Sequence, residues 1–196
     1  MAIVLSLLLP TTRGEEQAPE SAWRVWLEPK FMRAAVSAPI VGAKRTVLAG
    51  GVLSADGSLA PFAPGKLEKL GLAWPDFYRK ARINASADLA QLKPRYERDS
   101  RKVIVYAALE SERPIVASAV LAPEFLEGFK EIFGEKVLVV VPSRFAAFVF
   151  PYLASEYQQF SPMIFRAFRE TAWPVGVEVF EVGVNGWRCI GAYAEP

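Results

Sequence analysis

Residues 136–145, KVLVVVPSRF, constrain the fold more than any other stretch of the chain. Five consecutive aliphatic side chains at 137–141, four of them valine, read as a strand covered on both faces. A strand with one wet face would alternate polar and apolar residues, so this one belongs in the middle of a sheet. Pro142 has no N–H to donate and is expected to stop the ladder. Ser143 can then cap a helix starting at Arg144 by accepting from a backbone N–H one turn on. The predicted succession is strand, stop, cap, helix.

With 196 residues, 52% of them hydrophobic, the chain can bury one ordinary core. Lys and Arg total 23 against 21 Asp and Glu, a net charge of +2, which is too balanced to imply a nucleic-acid partner. The sequence contains no histidine. Ser-His-Asp and Cys-His catalysis within one chain are thereby excluded, and the commonest transition-metal ligand is missing. The single cysteine, Cys189, can form neither an intramolecular disulfide nor a cysteine-cluster zinc site, and is expected to be a small core residue. No cofactor is expected.

Residues 1–9 are apolar apart from Ser6, but a membrane-spanning helix takes about 20 residues, so no transmembrane segment is predicted. They read either as the hydrophobic part of a secretory signal lacking its basic flank or as a buried strand. Whether the protein is cytoplasmic or exported turns on that choice. Residues 1–21 are accordingly a signal-peptide remnant or extension, and 22–196 one α+β domain.

Along the domain, residues 23–27 and 45–48 read as short strands, the second ending in a turn at Gly50 and Gly51. That glycine pair lacks the Lys-Ser/Thr of a phosphate loop, and Asp56 with Gly57 marks a tight hairpin. A helix is predicted over 75–90, with Pro75 in its first turn and Asp76 at the positive end of its dipole. Residues 79–102 carry eight cations against three acids. With Tyr96 alone available for stacking, they read as a solvated helix face and a charged hairpin tip.

Residues 103–109 and 115–121 are predicted as an antiparallel hairpin. Pro123 opens a helix striped by Phe125, Leu126, Phe129, Ile132 and Phe133, which Gly134 closes. Beyond Ser143, the residues Phe145, Phe148, Val149, Tyr152 and Leu153 keep helical spacing, with Pro151 kinking or interrupting the helix. Ser161 and Pro162 start another helix carrying Ile164, Phe165 and Phe168. Val175, Val177 and Val179 alternate, whereas Phe180, Val182 and Val184 continue on the opposite parity. Either a bulge shifts the register near Val179 and Phe180, or both faces are buried. Asn185-Gly186 folds 187–193 back as the last strand. The fold class is α+β, a mostly antiparallel sheet with helices packed on it and 137–141 as its central strand.

This succession, with Ala81 and Asn84 on a helix, ASAVL before a proline-started helix, and VLVVVPSR before a helical stretch, resembles the YtpQ-like family of uncharacterised bacterial proteins over roughly residues 70–193. Its most specific piece is Pro142-Ser143-Arg144, with Phe145 where the family pattern leads one to expect an acid. The family carries no assigned activity, so the resemblance implies a fold rather than a reaction.

Two functional readings follow. The first is a non-catalytic module that binds another protein, suggested by the missing histidine and by Trp23, Trp26, Trp74, Tyr157 and Trp173 in exposed-looking connections. Its candidate binding residues are Ser143 and Arg144, where a helix N-terminus at the end of the central strand would suit an acidic group. The alternative is a histidine-independent, carboxylate-dependent hydrolase. It would use Glu178 with Glu181, which share a face only if the bulge exists, or Glu110 with Glu112, which lie in a turn and read as solvated. No catalytic or metal-ligating residue is assigned.

Overall fold

The computed structural model describes residues 18–154 and 157–195, so the expectation for residues 1–9 lies outside them. In chain order the strands and helices are β1 (Trp23–Pro29), β2 (Ser37–Pro39), β3 (Thr46–Leu53), β4 (Leu59–Pro61), α1 (Lys66–Lys69), α2 (Trp74–Leu89), β5 (Arg95–Arg98), β6 (Ile104–Glu110), α3 (Val116–Ala119), α4 (Glu127–Phe133), β7 (Val137–Ser143), β8 (Ala146–Pro151), α5 (Ser161–Arg169), β9 (Glu178–Gly183) and β10 (Gly186–Ala192). All strand pairs are antiparallel, and the fold class is α+β as the sequence predicts.

A six-stranded sheet runs in the order β10-β9-β7-β8-β6-β5. As expected, β7 is interior and buried along its whole length. Val137, Val139 and Val141 face the main core, while Leu138 and Val140 face a second cluster with Phe148, Phe150 and Ile164. Each of these side chains, fully buried, stabilises the fold by roughly 1.5–3 kcal/mol relative to exposure. The smaller sheet is built on β3, with β1 along one edge and β2 and β4 sharing the other. Its inward residues, among them Val25, Leu27 and Leu48, join the same main core as β7.

Four local expectations are corrected. Pro142 does not end the strand: the register shifts between Val140 and Ser143, so the missing N–H falls in the irregularity, and the Pro142 carbonyl accepts from Val175 N at 2.9 Å. No helix follows Arg144. The chain turns into β8, where Ala147 and Val149 face one core and Phe148 and Phe150 the other, a period of two that pairing with β6 and β7 imposes over the helical spacing. Residues 115–121 are not a strand either. They form the buried turn around α3, and β6 pairs with β5 and β8 instead. A short apolar run cannot be assigned to strand or buried helix by periodicity, and Ala117, Ser118 and Ala119 are small enough for a helix enclosed in the core.

The last correction concerns Gly50 and Gly51, which lie inside β3 rather than in a turn after it. They are small because other chain segments lie on top of them. A Cβ at Gly51 would sit 2.0 Å from the Ala60 carbonyl oxygen and 2.8 Å from Pro61 Cα, and one at Gly50 2.6 Å from the Phe77 ring. Among the remaining expectations, α2, the Asn185-Gly186 hairpin and the hairpin around Asp56 and Gly57 stand where predicted. α5 does begin at Ser161, although the Ser161 hydroxyl donates to the Ala194 carbonyl instead of capping the helix.

Because the obstruction at Gly51 is backbone, Gly51→Ala is predicted to cost at least about 2 kcal/mol in urea unfolding, the upper part of the range for overpacked cores. Gly128→Ala is the control. Beyond its own helix backbone and chain neighbours nothing lies within 4 Å of a Cβ there, and it sits in α4, so the change is expected to be neutral or stabilising by up to about 1 kcal/mol. Equal effects of the two substitutions would contradict this packing.

Candidate functional site

Two concavities flank α5. On one side an open cleft of about 570 Å³ lies between α5 and the turn that joins β7 to β8, and Ser143 is in its wall. The Ser143 hydroxyl accepts from Phe145 N at 3.2 Å, and the residue is only 2% exposed. Arg144 does not share that cleft. It is buried elsewhere, where Nη2 lies 2.9 and 2.8 Å from the two Glu28 carboxylate oxygens and Nη1 donates to the Leu59 carbonyl at 3.3 Å. Its guanidinium stands 5.5 Å from the Trp26 ring centroid and 4.7 Å from that of Trp173. The two sequence candidates are thus neighbours in the chain with separate surroundings, and the helix N-terminus meant to frame them is absent. Arg144 already has an anion, so its charge is taken.

The carboxylate pairs are also apart. β9 pairs with β7 in unbroken register, and the bulge expected in β9 lies in β10, between Cys189 and Gly191. Glu178 and Glu181, three residues apart, therefore point to opposite faces. Glu178 is buried and accepts from Lys44 N at 2.7 Å and Arg45 N at 3.2 Å. Glu181 pairs with Arg188 at 3.1 Å and Lys136 at 3.6 Å; the hydrogen bond from Arg188, reinforced by both cations, holds its carboxyl below the usual carboxylate range. Glu110 pairs with Arg95 at 3.4 Å, and Glu112 is exposed. Cys189 is half-buried rather than a core residue, and burial pushes its thiol up. Of the aromatic residues assigned to surface connections, Trp23 and Trp26 are buried, Trp74 and Tyr157 half-buried, and Trp173 exposed.

The basic stretch is largely matched by its own surroundings. Arg79 pairs with Asp76, Lys80 with Glu20, Arg95 with Glu97, and Arg101 with Asp99. Arg82 donates to the Leu121 carbonyl at 2.6 Å.

On the other side of α5 is a groove of about 540 Å³, and here the chemistry is different. One wall is the 3₁₀ turn Lys30–Met32, which leaves β1 directly after Pro29. Lys30 N donates to the Arg45 carbonyl at 2.7 Å, and Arg33, in the left-handed region at φ 53°, closes the turn by donating to the Lys30 carbonyl. This geometry holds Phe31 out, 74% exposed. Phe165 and Phe168 of α5 form the facing wall, with Val175 and Val177 between. Ile164 on the inner side of α5 is fully buried and anchors that wall. Gly176 leaves room beside the Thr46 hydroxyl, which is buried without a hydrogen-bond partner.

Lys30, Lys44 and Arg45 line the same groove and are exposed. Among the described residues none of the three has an acidic side chain in ion-pair range, and no carboxylate lines the groove. Sequence reasoning passed over these residues. The available signal was the run Lys30-Phe31-Met32-Arg33, two large apolar residues between two cations, together with Phe165 and Phe168 at helical spacing.

No helix among the described residues is long and apolar enough to cross a membrane. Compared with known proteins, the chain matches no family model, no curated protein and no solved structure.

Arg188→Met should move the Glu181 titration up toward the ordinary carboxylate range in carboxyl-detected NMR. The sign is fixed by the lowered folded-state value: the pair stabilises the protein above the unfolded carboxylate range, and that stabilisation fades as pH falls through the folded-state titration. An unchanged Glu181 titration in the variant would show that Arg188 does not hold it.

Proposed function

We propose that this chain is a non-catalytic protein-binding module that receives a polypeptide segment in the groove between the Lys30–Met32 turn and α5. One observation carries the reading: the groove's walls are aromatic and aliphatic, and one of them is a phenylalanine held out into water. Isolated exposed apolar side chains are ordinary, but Phe31, Phe165 and Phe168 lie around one concavity, and its floor is Val175 and Val177. Aromatic anchors in such surroundings are what interface centres are made of.

A small-molecule site usually covers 70–90% of its ligand, about the enclosure needed for tight binding of a compact molecule. A groove with one wall residue 74% exposed is open along that wall, which suits one face of a longer polymer. The hydrolase alternative loses its premise, because the two glutamates of β9 face apart and each is already engaged. Ser143 remains in the wall of the second cleft, whose lining mixes Arg95, Glu110, Arg166 and Glu170 and favours no single ligand charge.

The test is a selection of displayed random peptides on the immobilised protein, followed by Phe31→Ser. Since Phe31 is exposed, the substitution should leave the melting curve nearly unchanged, a stability effect within about 0.5 kcal/mol. Selected peptides should lose at least about tenfold in affinity, or about 1.4 kcal/mol. Recovery of no binders, or of binders indifferent to Phe31→Ser, would overturn the reading.

A further inference from the structure

We infer that the segment received by the groove is acidic, with carboxylates flanking its apolar anchors. This inference rests on the protein-docking reading above and concerns the partner's charge. The chain as a whole is nearly neutral, at +2; its buried cations Arg24 and Arg144 are ion-paired, and four of the eight cations of the basic stretch pair with nearby acids. Lys30, Lys44 and Arg45 have no ion-pair partner among the described residues and are gathered at one place. They are exposed around one apolar groove, and Arg33 adds another exposed cation beside it.

The backbone that carries them is held in place. Glu178, the acid best positioned to neutralise Lys44 and Arg45, is turned inward and accepts from their backbone N–H groups at 2.7 and 3.2 Å. It thereby fixes the turn and leaves both side chains pointing to solvent. Lys30 N in turn donates to the Arg45 carbonyl, so the two cationic segments are bonded to each other. Cations with no ion-pair partner among the described residues, on a fixed backbone beside an apolar surface, attract the opposite charge and repel their own kind. Such an arrangement confers partner selection and faster encounter more than raw affinity.

An anionic lipid surface offers the same charges, and Phe31 on its turn could reach one, but the groove's other aromatic residues do not project with it. Phe165 and Phe168 are half-buried in the wall of a concavity, where a flat bilayer surface meets them less fully than an inserted segment does. A peptide can reach them.

The experiment uses the whole chain and sequences the Phe31-dependent peptides recovered from a random library. Asp and Glu should be enriched at least threefold over their library frequency, and Lys and Arg depleted. Affinity of the acidic binders should fall at least tenfold between 50 mM and 500 mM salt, as screening requires. Selection on Lys44→Glu/Arg45→Glu, which leaves the backbone N–H groups to Glu178 intact, should invert the preference toward basic peptides. Lys30→Glu is the independent second variant and should weaken acidic binders in the same sense.

Phe31-dependent binders without acidic enrichment, or an enrichment that survives the charge reversals, would overturn the inference while leaving the docking reading in place. Absence of Phe31-dependent binders would remove the docking reading itself. Sedimentation with phosphatidylserine vesicles that depends on Phe31 and Lys44, without peptide binding, would overturn both in favour of a lipid surface.

Discussion

Arg144 carries a charge that solvent does not reach, and the fold is arranged to answer it. The guanidinium meets both oxygens of Glu28, donates to the Leu59 carbonyl, and lies between the indoles of Trp26 and Trp173. Trp26 Nε1 donates to Glu28 at 2.7 Å, so the carboxylate is also satisfied. An ion pair of this kind need not stabilise a protein more than a well-packed apolar pair would. Removing one partner, however, leaves a buried charge alone and costs about 3–5 kcal/mol. Glu28 belongs to β1 in the smaller sheet, and Arg144 to the turn joining β7 and β8 in the larger, so the pair fixes how the two sheets meet.

Two more buried polar contacts tie the smaller sheet to its surroundings, one to a helix and one to the larger sheet. Arg24, two residues before Trp26 on β1, meets Asp88 of α2 at 2.6 Å. Glu178 of β9 receives the backbone N–H groups of Lys44 and Arg45 just ahead of β3. The groove is a product of this stitching. Its Phe31 wall extends from the end of β1, its cations come from the turn that Glu178 holds, and its far wall is α5, tied by Ile164 and by the hydrogen bond from Ser161 to Ala194. Because these long-range contacts fix the backbone of the groove before any partner arrives, they lower the ordering cost of binding.

The parts of this fold that were legible in the sequence are those in which local signal and tertiary demand agree. The five aliphatic residues of 137–141 are interior on both faces, the proline-started α2 forms where its pattern places it, and Asn185-Gly186 turns the last hairpin. Legibility failed where spacing was ambiguous. Phe145, Phe148, Val149 and Tyr152 fit a helical stripe, yet Phe148 and Val149 lie on opposite faces of β8 because two neighbouring strands claim its backbone. The run 115–121 is apolar enough for a strand, but its small central residues let a helix sit inside the core. Gly50 and Gly51 resemble a turn and instead make room for Ala60 and Phe77.

The site was the least legible part, for a related reason. Pro142-Ser143-Arg144 looked like a functional edge because Glu28, 116 residues away in the chain, could not be seen as the partner of Arg144. The groove unites Phe31 with Phe168 and Lys44 with Val177, residues whose proximity only the completed seam creates. A local motif records what a segment prefers; it says little about which distant segment will satisfy it.

The most direct test of this account is a double-mutant cycle on Glu28→Gln and Arg144→Met, read from urea unfolding. Each single substitution should destabilise by about 3–5 kcal/mol, and the double variant by less than their sum, with a coupling of at least about 2 kcal/mol. Additivity within about 0.5 kcal/mol would contradict the claim that this pair joins the two sheets.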